Sequence, residues 1–418
     1  MESQFFGAAQ GATSKGKGVL MRLVLINHLH PDTGMVGSVR FWRFSQELAL
    51  LGHQVILLCA SAGEADDLNQ FSQRLHSHDW SGPLLVAAGA DPRTQQRGAA
   101  TQGGYRTLRR LHTAWDLVVR GGPFWEWGRD SQPFLSIIRT QFKPQLCYAT
   151  FGNLDALNMA RSLAHACKVP WVMDIKDPAN AFLPKWLRPW LIRRYRDAAA
   201  VTLNADFQRH HNKGWSKPDA QVVYSGVEPC DLAGAAVECS CFALVGAIYD
   251  DAALLQLLKA FKQYIQVSDA LARMVYYGKE GERVRIAAQL AGVADSVVCA
   301  GMVERYEMLR RCGTAAAVCY IGYAGGFHHK LLELAALGRP LIVCPKESAE
   351  SHALMAKYNY PFFASADQAS LFAAMNRAGQ TQSVNNRQLL DDLGWPAVTK
   401  QLEQIFMTTI TNQRSVST

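Results

Sequence analysis

The chain has 418 residues, of which 49% are hydrophobic and 19% are charged, and its formal net charge at pH 7 is +8. This length suits two domains of roughly 200 residues each. The composition excludes a collagen-like or broadly disordered chain, and the sequence lacks the run of roughly 18 apolar residues that a membrane-spanning helix needs. The positive charge favours anionic partners, which include phosphorylated small molecules, anionic lipid and nucleic acid.

The first 20 residues are polar and rich in Gly, Ala and Ser, without the apolar stretch of a secretory signal. They predict a flexible N-terminal extension over residues 1–20. The ten cysteines are scattered, and most lie in apolar runs, where a free thiol behaves as a small core residue. This usage is typical of a reducing compartment, so we expect a cytoplasmic protein.

The first domain opens with a βαβ pattern. Met21–Leu29 predicts a strand, and a turn-rich connector follows it. Ser38 is expected to cap the next helix, whose apolar residues recur at helical spacing. Gln54–Cys59 predicts the second strand, so the order is strand, glycine loop, helix and strand.

Short apolar runs alternate with helical patterns along the rest of the chain. The other predicted strands are Pro144–Tyr148, Pro170–Asp174, Ala198–Leu203, Ala220–Tyr224, Cys241–Ala247, Arg273–Tyr277, Val298–Cys299, Ala315–Ile321 and Pro340–Cys344. Fully apolar strands of this length indicate parallel sheets that helices cover on both faces. Ligands of such sheets bind at the carboxyl ends of the strands.

The regular pattern is interrupted once, between Gly226 and Glu238, and this interruption predicts a linker between two domains. We therefore predict an α/β protein with two Rossmann-like, doubly wound domains. The N-terminal domain spans residues 21–228 and the C-terminal domain spans residues 237–394. Residues 395–418 predict a final helix, and the sequence leaves open whether it crosses back to the N-terminal domain.

Residues 325–340 carry the strongest chemical signal. A helix is expected to begin near His328, and its N-terminus suits a diphosphate. Lys330 lies in the first turn, where a cation opposes the helix dipole, so structure alone gives it little reason to be there. Glu333 lies on the same side one turn on, where a carboxylate can accept both hydroxyls of a ribose. A solvated surface Lys–Glu pair accounts for this spacing nearly as well.

This segment resembles the donor-binding segment of glycosyltransferase family 4, which comprises retaining enzymes of the GT-B fold. The matching residues are Lys330, Glu333, Ala336, Gly338 and Pro340. Weaker matches are the glycine loop of Gly34 and Gly37, the stretches Asp174–Pro178 and Val222–Val227, and the glycines Gly246, Gly278, Gly281 and Gly301. The resemblance covers most of the chain and implies two domains that face a central cleft.

The resemblance also implies a function. A glycosyltransferase of this family moves a sugar from a nucleoside diphosphate sugar to a glycan or lipid-linked acceptor, with retention of configuration and without a metal or other cofactor. Catalysis would fall to Lys330 and Glu333, and the acceptor would meet His30 and Asp177. The expected donor-binding residues are Gly34, Gly37, Gly246, Gly278, Lys279, Phe327, His328 and His329.

Two departures from the family pattern leave alternatives open. Gly325 stands where the family commonly has a second glutamate, and the stretch Ala247–Leu254 lacks the usual cations and contains Asp250 and Asp251. Lys330, Lys279 or Arg305 would have to supply the missing charge. One alternative is a non-catalytic scaffold of a polysaccharide assembly system. The other is a sugar-nucleotide 2-epimerase of related fold.

Two further features admit more than one interpretation. The basic and aromatic run Lys185–Arg196 suits peripheral contact with the inner face of a membrane, or a surface helix that packs on its own domain. No motif beside it indicates nucleic-acid binding. His28, His30 and Asp32 are too few for a confident metal site, and we expect them to line the cleft.

Overall fold

The computed structural model describes residues 19–33, 36–90, 115–230, 236–322, 326–381 and 384–417. Two parallel sheets organise these residues. The first has seven strands in the order β3-β2-β1-β4-β5-β6-β7. They are β1 Arg22–Ile26, β2 Gln54–Ser61, β3 Leu84–Ala90, β4 Leu146–Thr150, β5 Trp171–Ile175, β6 Ala200–Leu203 and β7 Gln221–Val222. The core strands are almost entirely buried because helices cover both faces.

The second sheet has six strands in the order β10-β9-β8-β11-β12-β13. They are β8 Glu238–Val245, β9 Arg273–Tyr277, β10 Val297–Gly301, β11 Ala315–Ile321, β12 Leu341–Cys344 and β13 Phe362–Ala364. When the strands are numbered within each sheet, the first six of both sheets follow the doubly wound order 3-2-1-4-5-6 of a Rossmann domain. This agrees with the predicted fold class.

Helices connect the strands. In the first half they are α1 Val36–Leu50, α2 Leu68–Ser77, α3 Trp125–Ile137, α4 Leu154–Cys167, α5 Ala179–Phe182, α6 Arg188–Arg194 and α7 Phe207–His211. In the second half they are α8 Asp251–Val267, α9 Gly281–Ala291, α10 Arg305–Gly313, α11 Lys330–Ala335, α12 Ala349–Lys357, α13 Gln368–Gly379, α14 Arg387–Leu393 and α15 Trp395–Ser417. Short π-helical turns at Asp116–Arg120 and Ile138–Phe142 flank α3.

Two local predictions were wrong. Helix α1 begins at Val36, so Ser38 lies inside it and its hydroxyl accepts a hydrogen bond from Thr33 Oγ1 at 3.1 Å instead of capping the helix. Helix α11 begins at Lys330 and has only six residues, so the predicted start near His328 is two residues early.

The final helix α15 packs on the first domain. Trp395 meets Phe44 of α1 edge-on at 5.4 Å, and Glu403 Oε1 lies 2.8 Å from His53 Nε2. Further along, Phe406 packs against Tyr148 of β4 at 5.1 Å. The chain therefore returns from the second sheet to the first, and α15 holds the two domains together on one side of the molecule.

Hydrogen bonds join the domains on the cleft side as well. The Glu350 carboxylate of the second domain accepts from Asp206 N at 2.7 Å, Phe207 N at 2.8 Å and the Tyr224 hydroxyl at 2.7 Å. All three donors belong to the first domain, after β6 and β7. These bonds bring the carboxyl ends of the two sheets face to face, which is where a GT-B protein would bind its substrates.

Candidate functional site

A cavity of about 340 Å³ lies at the carboxyl edge of the second sheet, beside the start of α11. Strand β8 pairs with β11 on one side and β9 on the other. The connections leave β8 and β11 in opposite directions, so space opens between their loops. Five residues from the sequence prediction line this cavity: Gly246, Gly278, Lys279, Lys330 and Glu333.

Two of these positions leave no room for a side chain. Gly246 ends β8 with φ of +88°, and a Cβ there would lie 1.7 Å from Lys330 Nζ. A Cβ at Gly278 would lie 2.1 Å from the Tyr276 hydroxyl and 2.8 Å from Gly246 O. The loops after β8 and β9 therefore approach each other and the lysine as closely as bare backbone allows.

Lys330 is the cation at the centre of this arrangement. Burial lowers its pKa below the ordinary 10.5, against the raising effects of Glu333 and Glu280. Within the described parts of the chain, no hydrogen bond or ion pair satisfies its ammonium. Because α11 is so short, its dipole is weak, and Lys330 provides most of the positive charge. A partly desolvated, unpaired ammonium favours an anion in the cavity.

Asp250 and Asp251 do not offset the positive charge of Lys330, because other groups bind their carboxylates. Asp250 caps α8, where its carboxylate accepts from Ala252 N at 2.8 Å and Ala253 N at 3.1 Å. Asp251 forms an ion pair with Arg283 at 2.8 Å. The N-terminus of α8 thus binds Asp250, and Arg283 of α9 binds Asp251. The positive charges of Lys330 and Lys279 in the cavity are not neutralised by these two acids.

Glu333 is held by a chain of ion pairs that crosses between the domains. Arg305 donates to Glu333 Oε1 from Nε at 2.7 Å and from Nη2 at 2.5 Å. Arg305 also lies 3.8 Å from Glu228 of the linker, and Glu228 pairs with Arg43 of α1. Because both bonds of Arg305 end on Oε1, Oε2 is the oxygen that a sugar hydroxyl would use.

The first domain contributes a second cation that the sequence analysis did not assign to the site. Gly37 was predicted to lie in a glycine loop, but it lies in the first turn of α1. A Cβ at Gly37 would lie 2.7 Å from Lys176 Nζ, so this ammonium lies directly against the start of α1. The only signal in the sequence was a lysine within the stretch Asp174–Pro178. Gly34 lies outside the described residues.

The predicted acceptor-side residues follow β1 and β5 in the first domain. His30 Nδ1 lies 3.5 Å from an Asp32 carboxylate oxygen and accepts from Asp32 N at 3.3 Å. Burial raises the pKa of Asp177, although the neighbouring Lys176 lowers it. Neither residue lines the cavity of the second domain. Within the described residues, no three or more His, Cys, Asp or Glu side chains are grouped to hold a metal ion.

Three predicted donor-binding residues lie outside the cavity lining. The Phe327 ring packs against Tyr224 of the first domain at 5.5 Å. His328 lies between the rings of Tyr249 and Tyr320, at 5.6 and 5.4 Å. His329 Nε2 lies 2.6 Å from Asn204 Nδ2, across the cleft. These side chains therefore shape the loop before α11 and join it to the first domain.

The two histidines are neutral at pH 7. Burial, with the positive charge of Lys330, lowers the pKa of His328 to about 4. Burial, with the positive charges of Arg40 and Lys176, lowers the pKa of His329 to about 3. Neither ring therefore adds positive charge for a diphosphate, and a neutral His329 can accept the Asn204 amide hydrogen at Nε2.

Glu347 is a further residue that the sequence analysis missed. Its buried carboxylate accepts from the Tyr320 hydroxyl at 2.7 Å and from Ser351 Oγ at 2.9 Å. Burial raises its pKa above the ordinary value, although these bonds and a backbone bond from His328 partly offset the effect. It therefore anchors the loop that carries Lys330. A lone glutamate after a predicted strand gave no local sign of this role.

The neutral state of His329 predicts a pH-dependent contribution to stability. Its pKa is lower in the folded chain than in the unfolded one, so folding loses free energy as the pH falls below the unfolded value of 6.5. Between pH 7 and pH 5 the wild type should lose about 2 kcal/mol more than His329→Gln, which still accepts from Asn204. Urea unfolding at both pH values measures this difference. An equal loss in free energy of unfolding for the two proteins would show that folding does not lower the pKa of His329.

Residues 240–379 match the protein family described as glycosyl transferases group 1. The match covers the second sheet and every residue of the cavity. It is consistent with the resemblance to family 4 for the C-terminal part of the chain. Among curated proteins, none is similar enough in sequence to count as a relative.

Solved structures resemble the chain over nearly its whole length. HepE from Anabaena, in complex with UDP and glucose, is 12% identical with a TM-score of 0.60, and the alignment covers 93% of this chain and 100% of that one. A glycosyltransferase from Rickettsia africae is 10% identical with a TM-score of 0.62, covering 94% and 100%. Sucrose-phosphate synthase from Thermosynechococcus elongatus is 14% identical with a TM-score of 0.59, covering 93% and 99%. These likenesses confirm the predicted GT-B fold.

Proposed function

We propose, from the match of residues 240–379 to group 1 glycosyl transferases and from the GT-B fold, that this protein is a glycosyltransferase with a nucleoside diphosphate sugar as donor. The observation that carries the proposal is the unpaired Lys330 ammonium, set against Gly246 at the wall of the cavity. HepE binds UDP-glucose in a structure of the same fold. A nucleoside diphosphate supplies the anion that this arrangement lacks.

The residues of the cavity suggest how the donor lies. The diphosphate would contact Lys330 and the backbone of Gly246, while Glu333 Oε2 accepts a ribose hydroxyl. Lys176 of the first domain would approach from the opposite side of the cleft. Lys330 and Lys279 of the second domain, with Lys176 of the first, would thus replace the cations that the family usually carries after the strand corresponding to β8. The site is then complete only when the domains face each other.

We propose transfer with retention of configuration, which the resemblance to family 4 implies. The bond between the anomeric carbon and the diphosphate oxygen breaks, and its electron pair leaves with the diphosphate. The acceptor oxygen forms the new bond on the same face, and its proton passes to the departing phosphate. Lys330 stabilises the charge that grows on the leaving group, so positioning and electrostatics supply most of the catalysis.

The proposed acceptor is a glycan or a lipid-linked glycan. The run Lys185–Arg196 forms a loop and helix α6 on the first domain. Its Trp186 and Trp190 side chains are 65% and 48% exposed. An exposed pair of tryptophans beside arginines is the composition of a peripheral membrane contact. A lipid-linked acceptor would be reached from such a position. Among the described residues, no helix is long and apolar enough to cross a bilayer.

A second candidate function is a glycosyltransferase-like scaffold that binds a donor without turning it over. The specific observation in its favour is the pair of bonds by which Arg305 occupies Glu333 Oε1. Glu333 is the residue to which the resemblance assigns catalysis with Lys330, and a carboxylate held by an arginine is less available for that role. The two candidates differ in turnover rather than in fold or donor binding.

An assay of donor turnover separates the candidates. The protein is incubated with UDP-glucose or GDP-mannose and a lipid extract, and the products are followed by NMR. A transferase releases nucleoside diphosphate and forms a glycoside with the anomeric configuration of the donor. An inverted product would exclude the retaining mechanism, a new sugar epimer would indicate a 2-epimerase, and binding without release would leave the scaffold.

A further inference from the structure

A second cavity lies outside the cleft. It has a volume of about 750 Å³ and lies on the first domain between α6 and the loop Gly214–Asp219. Its floor contains Tyr195 and Trp215, which are buried and stack on each other at 6.1 Å. The stacked rings make a fixed apolar base, and the polar groups stand around its rim.

The rim carries more positive than negative charge. Arg193, Arg196 and Lys217 line the cavity, and the only acid among its lining residues is Asp219. Within the described residues, neither Arg193 nor Arg196 forms an ion pair. The adjacent Asp197 is already bound by Arg161 at 2.8 Å and His165 at 2.7 Å. Two guanidinium groups are therefore left to bind an external anion.

The position of this cavity indicates the source of the anion. Trp186 and Trp190 are exposed on the same loop and helix that carry Arg193 and Arg196. The Arg194 guanidinium lies 5.4 Å from the Trp190 ring, which holds that ring on the surface. Exposed tryptophans enter the headgroup region of a bilayer, and arginines beside them bind lipid phosphates.

We propose that the cavity between α6 and Gly214–Asp219 binds the phosphate headgroup of an anionic lipid while Trp186 and Trp190 enter the bilayer. This inference deepens the membrane contact of the proposed function, since it names a pocket and its ligand. Arg193 and Arg196 hold the phosphate, and Lys217 and Ser216 complete the rim. The occupant is a lipid phosphate at a membrane surface rather than a soluble phosphate.

Vesicle co-sedimentation tests the pocket. The probes are phosphatidylcholine vesicles that contain either phosphatidic acid, whose small phosphate is accessible, or phosphatidylglycerol, at equal surface charge. The wild type should bind the phosphatidic acid vesicles more tightly. The double variant Arg193→Gln/Arg196→Gln should lose about thirtyfold in affinity for them, at about 1 kcal/mol for each arginine, and should lose the preference as well.

A matched control uses two exposed arginines of the second domain. Arg285→Gln/Arg377→Gln removes the same charge and should bind both kinds of vesicle as the wild type does. The pocket is overturned if the wild type shows no preference between the two lipids, or if Arg193→Gln/Arg196→Gln binds as the control does. It is also overturned if Trp186→Ala/Trp190→Ala retains full binding.

The outcome for the pocket is distinguishable from that for the proposed function. Arg193→Gln/Arg196→Gln should bind UDP in calorimetry as the wild type does, because neither residue lines the donor cavity. Vesicle binding without any nucleoside diphosphate binding would refute the proposed function and leave the pocket intact. Nucleoside diphosphate binding without a headgroup preference would refute the pocket alone.

Discussion

Replacing Lys330 by methionine is expected to lower the rate of sugar transfer by about 100- to 1000-fold, which is the usual effect of removing one group that stabilises developing charge. The physical reason is that Lys330 Nζ lies against Gly246, where it can meet the diphosphate, and that no described residue forms a hydrogen bond or ion pair with it. Methionine retains the length and apolar contacts of the lysine stem but not its charge. The measurement is the release of nucleoside diphosphate from the donor under saturating conditions.

Lys279→Met is the matched control for this experiment. Lys279 lines the same cavity, but it lies in the loop after β9. We expect the loss in Lys279→Met to be at least tenfold smaller than that in Lys330→Met. If the two variants lose activity by the same factor, the total charge of the cavity controls the rate, and the proposal that Lys330 in particular stabilises the leaving diphosphate is wrong.

The largest expected effect on stability comes from Arg40→Met, which should lower the free energy of unfolding by about 3–5 kcal/mol. Arg40 is buried on α1, where Nη2 donates to Asp174 Oδ1 at 3.1 Å and to Val223 O at 2.9 Å. Burial lowers the pKa of Arg40, but Asp174 outweighs this effect, so the guanidinium stays charged. Methionine would leave a fully buried carboxylate without its counter-ion.

Arg40→Met/Asp174→Asn is the rescue for this prediction. The asparagine keeps the contact with the Thr202 hydroxyl, which lies 2.8 Å from Asp174 Oδ1, but carries no charge. Urea unfolding at pH 7 should place the double variant between the wild type and Arg40→Met. If Arg40→Met lowers the free energy of unfolding by less than about 1 kcal/mol, the prediction is wrong, because Asp174 would then not need Arg40 to compensate its buried charge.

The fold could be predicted because its strands are short and apolar throughout. A parallel sheet buried on both faces leaves this pattern in each strand, and most predicted strands overlap the observed ones. Strand β13 and the pair α2 and β3 were not predicted. β13 has only three residues, too few for a pattern to show. β3 is an apolar run of seven residues that fits the pattern of a buried strand, and it was missed although its composition was visible.

The site could be predicted only in part. The spacing of Lys330 and Glu333 and the glycines after β8 and β9 were visible in the sequence, and these residues line one cavity. The partners of those residues were not visible. Arg305 holds Glu333 from 28 positions away, and Asn204 meets His329 from 125 positions away. Such contacts depend on how two domains and several loops meet, which local composition does not encode.

The same limit explains why the sequence could not give the charge of His328 and His329. A histidine at a predicted helix start is naturally assigned to phosphate, because the backbone there binds anions. Burial between Tyr249 and Tyr320 makes His328 neutral, and burial with the nearby charges of Arg40 and Lys176 does the same for His329. Burial of a particular ring is a property of the packed chain, so residue type alone does not give its charge.

Calorimetric titration of the wild type and Lys330→Met with UDP and GDP tests the central claim most directly. We predict that the wild type binds one of the two diphosphates in a one-to-one ratio and that Lys330→Met binds it at least tenfold more weakly. The wild-type affinity should also begin to fall at a pH below the ordinary lysine pKa of 10.5, because only the ammonium form binds. A wild type that binds neither diphosphate, or a Lys330→Met variant that binds as tightly as the wild type, would contradict the account.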